Sequence, residues 1–136
     1  MHNVPGYREV AHTADWELEV WAADLPGLLQ QAALGMYALA GVRLQPGPRR
    51  TCSLTLQGLD DEDLLVKFLS ELLYLGNQQG LAFDTFNLYM DSGSLNARLG
   101  GAPIASQDKE IKAVTYHQLA IRRGPHGLAA NVVFDV

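Results

Sequence analysis

The sequence predicts an α+β fold, a two-layer sandwich with two main helices on one face of a largely antiparallel mixed sheet. Three observations carry this. Two segments repeat apolar residues at the helical period, between an acidic cap and a glycine. Several short segments alternate apolar and polar residues, the period of a half-buried strand. Hydrophobic residues make up 48% of the 136-residue chain, enough for the core of a single domain spanning residues 1–136.

The elements follow in order. Tyr7 to Val10 reads as a short strand. Trp16, Leu18 and Val20 alternate with Glu17 and Glu19, which predicts a second. Asp24 is placed to cap a helix, with Pro26 tolerated in the first turn. Leu25, Leu28, Leu29, Ala32, Met36 and Leu39 share one face of that helix, and Gly41 stops it. Gln45 to Arg50, with Pro46 and Pro48, is a loop. Cys52, Leu54 and Leu56 then alternate with Thr51, Ser53 and Thr55 as a strand.

Asp60 to Asp63 begin the second helix, where the helix dipole favours acids. Its apolar stripe is Leu64, Leu65, Phe68, Leu72 and Leu73, and it ends near Gly76 to Gly80. Phe86, Leu88 and Met90 predict a strand, Asp91-Ser92-Gly93 a hairpin turn, and Leu95, Ala97 and Leu99 its partner. Gly100-Gly101 reads as a turn. Ile111 to Arg123 reads as a strand broken by the turn Gly124 to Gly127, and Leu128, Ala130, Val132 and Phe134 mark the last. The sum is two helices and about seven strands, without linker, repeat or low-complexity segment.

Composition excludes several classes. A net charge of -5 argues against a self-sufficient nucleic-acid binder, which normally carries a basic face. The single cysteine, Cys52, cannot form an internal disulfide or a cysteine-rich zinc site, and reads as a small hydrophobe on the apolar side of its strand. No signal-peptide pattern opens the chain, and no apolar run reaches membrane-span length. A cytoplasmic location is the expectation.

The candidate chemistry lies at the two ends. Asp135 and Val136 supply the Asp135 carboxylate, the Val136 carbonyl and the terminal carboxylate, on a segment that reads as a closing strand. His12-Thr13-Ala14-Asp15 stands near the other end. If the ends meet, Asp15 and Asp135 make a hard-oxygen cation site. The plainer alternatives are a turn aspartate at Asp15 and a packed or hydrogen-bonded His12. Asp60 to Asp63 lack the spacing and glycine of a calcium-binding loop, so helix capping is the better reading. Lys112 and His117, at odd spacing on one predicted strand, would face opposite sides. Lys112 would share a side with Val114 and Tyr116. Arg122 and Arg123 read as solvated. No glycine-rich phosphate loop and no nucleophile–base set is present.

Five segments, taken together, resemble the archease family. They are His12 to Asp15, Leu28 to Met36, Asp63 to Tyr74, Glu110 to His117, and Phe134-Asp135-Val136. The likeness runs in order along nearly the whole chain, and the pairing of His-Thr-Ala-Asp with Lys-Ala-Val-Thr-Tyr-His is its most specific part. The resemblance implies an accessory protein rather than an enzyme. Archeases act on the RtcB-type RNA ligase, which joins RNA ends in tRNA splicing and repair. They promote its guanylylation and multiple turnover. By motif position, Asp15, Asp135 and Val136 are expected to bind a divalent cation (Ca²⁺, Mg²⁺ or Mn²⁺), with Lys112 and His12 as further functional residues at the partner or nucleotide site. The alternative is a chaperone-like modulator of another RNA-processing enzyme, such as a tRNA methyltransferase.

Overall fold

The computed structural model describes residues 4–11 and 15–136. His12 therefore lies outside the described residues. Among them are nine strands: β1 (Gly6–Glu9), β2 (Trp16–Ala22), β3 (Arg43–Leu44), β4 (Arg50–Gln57), β5 (Leu81–Asp91), β6 (Ser94–Ser106), β7 (Ala113–Thr115), β8 (Arg122–Gly124) and β9 (Gly127–Asp135). The two helices are α1 (Leu25–Ala40) and α2 (Asp61–Gln79). The predicted α+β class holds.

Both helices are fixed by local chemistry. Asp24 accepts the Gly27 N–H at 2.9 Å, and Gly41 ends α1 in the left-handed region at φ 65°. Asp60 accepts the Asp63 N–H at 2.8 Å, and Gly80 ends α2 at φ 67°. Each helix buries one stripe. On α1 it is Leu28, Leu29, Ala32 and Met36; on α2 it includes Leu65, Phe68, Leu69 and Leu72. These face Leu18, Val20, Ala130 and Val132 from one sheet and Leu95, Ala97 and Leu99 from another in a single core.

Pairing among the described residues is antiparallel throughout. The strands divide between two sheets rather than one. In the first, the order is β1-β2-β9-β7, with β8 also paired to β9. In the second, β6 is central, with β4, β5 and β3 as partners. Helix α1 packs on β1, β2 and β5, and α2 on β4, β5 and β7, so each helix touches both sheets.

Two sequence expectations are corrected. Gly100 and Gly101 are not a turn but lie inside β6, which runs on to Ser106. They sit opposite the irregularity between Phe83 and Thr85 in β5. A Cβ on Gly101 would stand 2.7 Å from the Phe83 Cα, so the glycine permits a close backbone approach within the sheet. Ile111 to Arg123 is not one strand. Pairing stops at Thr115 and resumes at Arg122. Between them Gln118 takes a positive φ of 50°, and the Leu119 N–H closes a turn on the Tyr116 carbonyl at 3.0 Å.

Phe68 is fully buried between the sheets and the helices. Phe68→Ala should cost about 3–5 kcal/mol of unfolding free energy, read from urea denaturation by circular dichroism. A cost below about 1 kcal/mol would show that the core closes over the missing ring.

Candidate functional site

Strand β9 is paired along both edges. Trp16 of β2 lies opposite Phe134, and Ala113 of β7 lies opposite Asp135. The Lys112 N–H donates to the Asp135 carbonyl at 2.8 Å. The chain end is thereby laid into the sheet. Asp15 immediately precedes β2, so this register brings it to the same end of the sheet.

The result is a cavity of about 510 Å³ lined by Asp15, Trp16, Thr115, His117, Val133, Phe134, Asp135 and Val136. Asp15, Asp135 and His117 are exposed, whereas Val133 and Phe134 are buried. Three of the sequence-predicted residues, Asp15, Asp135 and Val136, thus share one cavity. Lys112 flanks it through its backbone, with an exposed side chain, and is not among the lining residues. At the Trp16 side, the Lys109 ammonium stands 5.5 Å from the indole centroid.

Sequence reasoning missed His117 and Thr115. Thr115 is opposite Val133, which puts it on the cavity side of the sheet. The alternation rule placed His117 by extending the strand through it, but the strand has ended two residues earlier. The turn then delivers His117 to the cavity. Its backbone N–H donates to the Thr115 hydroxyl oxygen at 3.3 Å.

That turn is held by the first turn of α2. The Tyr116 hydroxyl donates to Asp63 at 2.6 Å, and Glu62 accepts the Ile121 N–H at 3.0 Å. Arg123 donates to Asp61 at 2.5 Å. The expectation that Asp60 to Asp63 cap a helix is met, and three of these acids also bind the segment from Tyr116 to Arg123. Arg123 is accordingly ion-paired, and Arg122 donates to the Asn131 side chain at 3.0 Å.

Asp63 is the buried member, with a side chain that also accepts the Leu59 N–H at 2.8 Å and pairs with Lys67 at 3.0 Å. The Tyr116 hydrogen bond, then the Leu59 and Lys67 contacts, hold its carboxyl down at about 2. The same bond raises the Tyr116 hydroxyl above its ordinary range. Cys52 is half-buried, and burial, with Glu71 secondary, pushes its thiol up, as suits a packed hydrophobe rather than a nucleophile.

A second cavity, of about 330 Å³, lies between α1, α2 and the segment from Ile104 to Ile111. Its walls include Met36, Tyr37, Leu72 and Ile111, and burial raises the Tyr37 hydroxyl. None of the sequence-predicted site residues lines it.

A carboxyl depressed to about 2 stabilises the fold above the ordinary aspartate range near pH 4. That contribution is lost as the pH falls through the folded value. Asp63→Asn should therefore lower the urea midpoint at pH 7, and its gap to wild type should close between about pH 4 and 2. A gap independent of pH would mean that the negative charge contributes nothing.

Comparison with known proteins identifies a family and matches the fold. Residues 7–136 match the model of the Archease protein family (MTH1598/TM1083). The chain is 32% identical to protein archease of Methanosarcina barkeri, over 96% of this chain and 95% of that protein. It is 29% identical to protein archease of Archaeoglobus fulgidus, over 96% and 98%. Among solved structures, protein 1598 of Methanobacterium thermoautotrophicum superposes with a TM-score of 0.73 at 24% identity, covering 96% of this chain and 99% of that one. An archease of Thermotoga maritima, described as a possible chaperone, gives 0.71 at 24% identity, over 95% and 96%.

Proposed function

The chain belongs to the archease family, and from that premise we propose that it is an accessory activator of an RtcB-type RNA ligase. In this reading it promotes ligase guanylylation and multiple turnover in tRNA splicing and RNA repair. The observation that carries the reading is the joining of Asp15, Asp135 and Val136 at one cavity. The protein would act as a cofactor of the ligase and not as an enzyme.

The donor set fits a hard divalent cation, Ca²⁺, Mg²⁺ or Mn²⁺. Two carboxylates and the terminal oxygens are the ligands such ions prefer, and no thiol is near them. Anionic groups held at one end of a sheet repel one another, and a divalent charge relieves that repulsion. When bound, the cation would supply Lewis acidity and a bridge to phosphate oxygens. The residues do the rest. Asp15, Asp135 and Val136 would hold the ion, and the pairing of β9 with β2 and β7 fixes where it is presented. Lys112, exposed beside the chain end, is available to the partner or its nucleotide.

The test is RNA joining by the cognate ligase at substoichiometric ligase concentration. Wild-type protein should raise the number of turnovers. Asp15→Ala or Asp135→Ala should lower that stimulation by about tenfold or more. A tag fused after Val136 should impair it too, because the free terminal carboxylate is removed. Unchanged stimulation by both alanine variants would overturn the role of the carboxylates.

The description of the Thermotoga protein as a possible chaperone favours a second reading. There the same acidic end docks on another RNA-processing enzyme, such as a tRNA methyltransferase. Absence of any stimulation of the ligase by the wild-type protein would select it.

A further inference from the structure

The cavity is lined by two chemically different sets of groups: Asp15, Asp135 and Val136 are anionic or oxygen-bearing acceptors, and Thr115 and His117 can donate. Among the described residues, no three His, Cys, Asp or Glu side chains close around one point. Asp15, Asp135 and His117 thus share the cavity without forming a three-side-chain cage. At about 510 Å³ the cavity is within the range of small-molecule sites and larger than a bare ion requires.

We propose that His117 and Thr115 form the phosphate-binding wall of this cavity, receiving oxygens of a polyphosphate bridged by the cation. The proposal rests on the cation reading above. Its chemistry follows from the donor count. Ions such as Mg²⁺ are commonly held by one or two carboxylates and complete their shell with water and substrate phosphates. Two carboxylates and a chain terminus leave positions open for such oxygens. A free anion is repelled by these carboxylates, so a polyphosphate enters only as its metal complex. An imidazole N–H and a hydroxyl are then the donors that a phosphate oxygen needs on its far side.

His117 is also held where it is required. Its neighbour Tyr116 is tied to Asp63 at 2.6 Å, and the Glu62 carboxylate accepts the Ile121 N–H at 3.0 Å. The positive φ of Gln118, 50°, turns the chain directly after it. The Thr115 hydroxyl oxygen accepts the His117 backbone N–H, which leaves the hydroxyl proton free to donate elsewhere.

The experiment is calorimetric titration of the full chain with Mn²⁺ alone, with inorganic pyrophosphate alone, and with pyrophosphate at saturating Mn²⁺. The wild type should bind Mn²⁺, should ignore pyrophosphate alone, and should bind pyrophosphate when Mn²⁺ is present. His117→Ala should keep its Mn²⁺ affinity within about twofold yet lose about tenfold in pyrophosphate affinity, the worth of one hydrogen bond to a charged group. Tyr116→Phe, which removes one of the turn's ties to α2 without altering the imidazole, should weaken pyrophosphate and spare Mn²⁺. Equal pyrophosphate affinity in wild type and His117→Ala, with Mn²⁺ binding intact, would overturn the phosphate wall and leave the cation reading standing. A wild type that binds no Mn²⁺ would sink the cation reading, and this inference with it.

Discussion

A carboxylate at a chain end is ordinarily among the least constrained groups in a protein. Here the terminal strand is hydrogen-bonded on both edges, by β2 along one side and by β7 and β8 along the other. Its inward residues, Leu128, Ala130, Val132 and Phe134, are buried against the helices. Slipping β9 by one residue would turn all four outward and bring Asn131 and Asp135 inward in place of Ala130 and Phe134 or their neighbours. The hydrophobic effect thus fixes the register, and the register fixes Asp135. The same pairing starts β2 at Trp16 and so decides where Asp15 stands. The position of the chain end is a consequence of core packing some distance away.

The second constraint is the first turn of α2. Three acids in succession would repel on an open surface, yet they sit where the helix N-terminus presents unsatisfied N–H groups and partial positive charge. Each also has a specific partner on the segment after β7: Arg123 for Asp61, the Ile121 N–H for Glu62, and the Tyr116 hydroxyl for Asp63. A six-residue connection without ladder pairing would be expected to wander. These bonds instead hold it to a helix whose opposite face lies in the core. Capping and site geometry are therefore one feature of this fold, and the depressed Asp63 carboxyl is its electrostatic mark.

Much of this was legible in the sequence, because the physics involved is local. Asp24, Gly41, Asp60 and Gly80 mark helix ends through capping. Strands with one face in the core alternate visibly, as β2, β4 and β9 do. The failures came where tertiary contact overrides pattern. Gly100-Gly101 has turn chemistry, but its glycines serve a close backbone approach to Phe83. The run from Ile111 to Arg123 is β-branched and apolar enough to read as continuous. What breaks it is anchoring to α2 across more than fifty residues, as in the Tyr116–Asp63 bond, which no local window contains. Lys112 and His117 were read as facing opposite sides of one continuous strand; the strand ends at Thr115, and of the two only His117 lines the cavity. Asp15 and Asp135 stood out as acidic residues at the two chain ends, and the family resemblance added to that reading. Their shared cavity is a product of strand order, which alternation does not encode.

The charge distribution limits what can approach the cavity. The chain carries a net charge of -5, and two of its carboxylates stand exposed at this end. An RNA strand brought to the cavity by itself would meet like charge without a basic groove to compensate. The nearby cations, Lys109 over the Trp16 ring and Lys112 beside the chain end, are single charges, not a track along a backbone. In the proposed reading a metal–phosphate complex meets the opposite situation: its divalent ion would satisfy the carboxylates and its phosphate would meet the Thr115 and His117 donors. The proposed action on RNA therefore runs through a partner that presents the nucleotide. The pairing of β9 with β2 and β7 orders this ligand set in advance, so the cost of ordering it does not fall on the encounter with a partner.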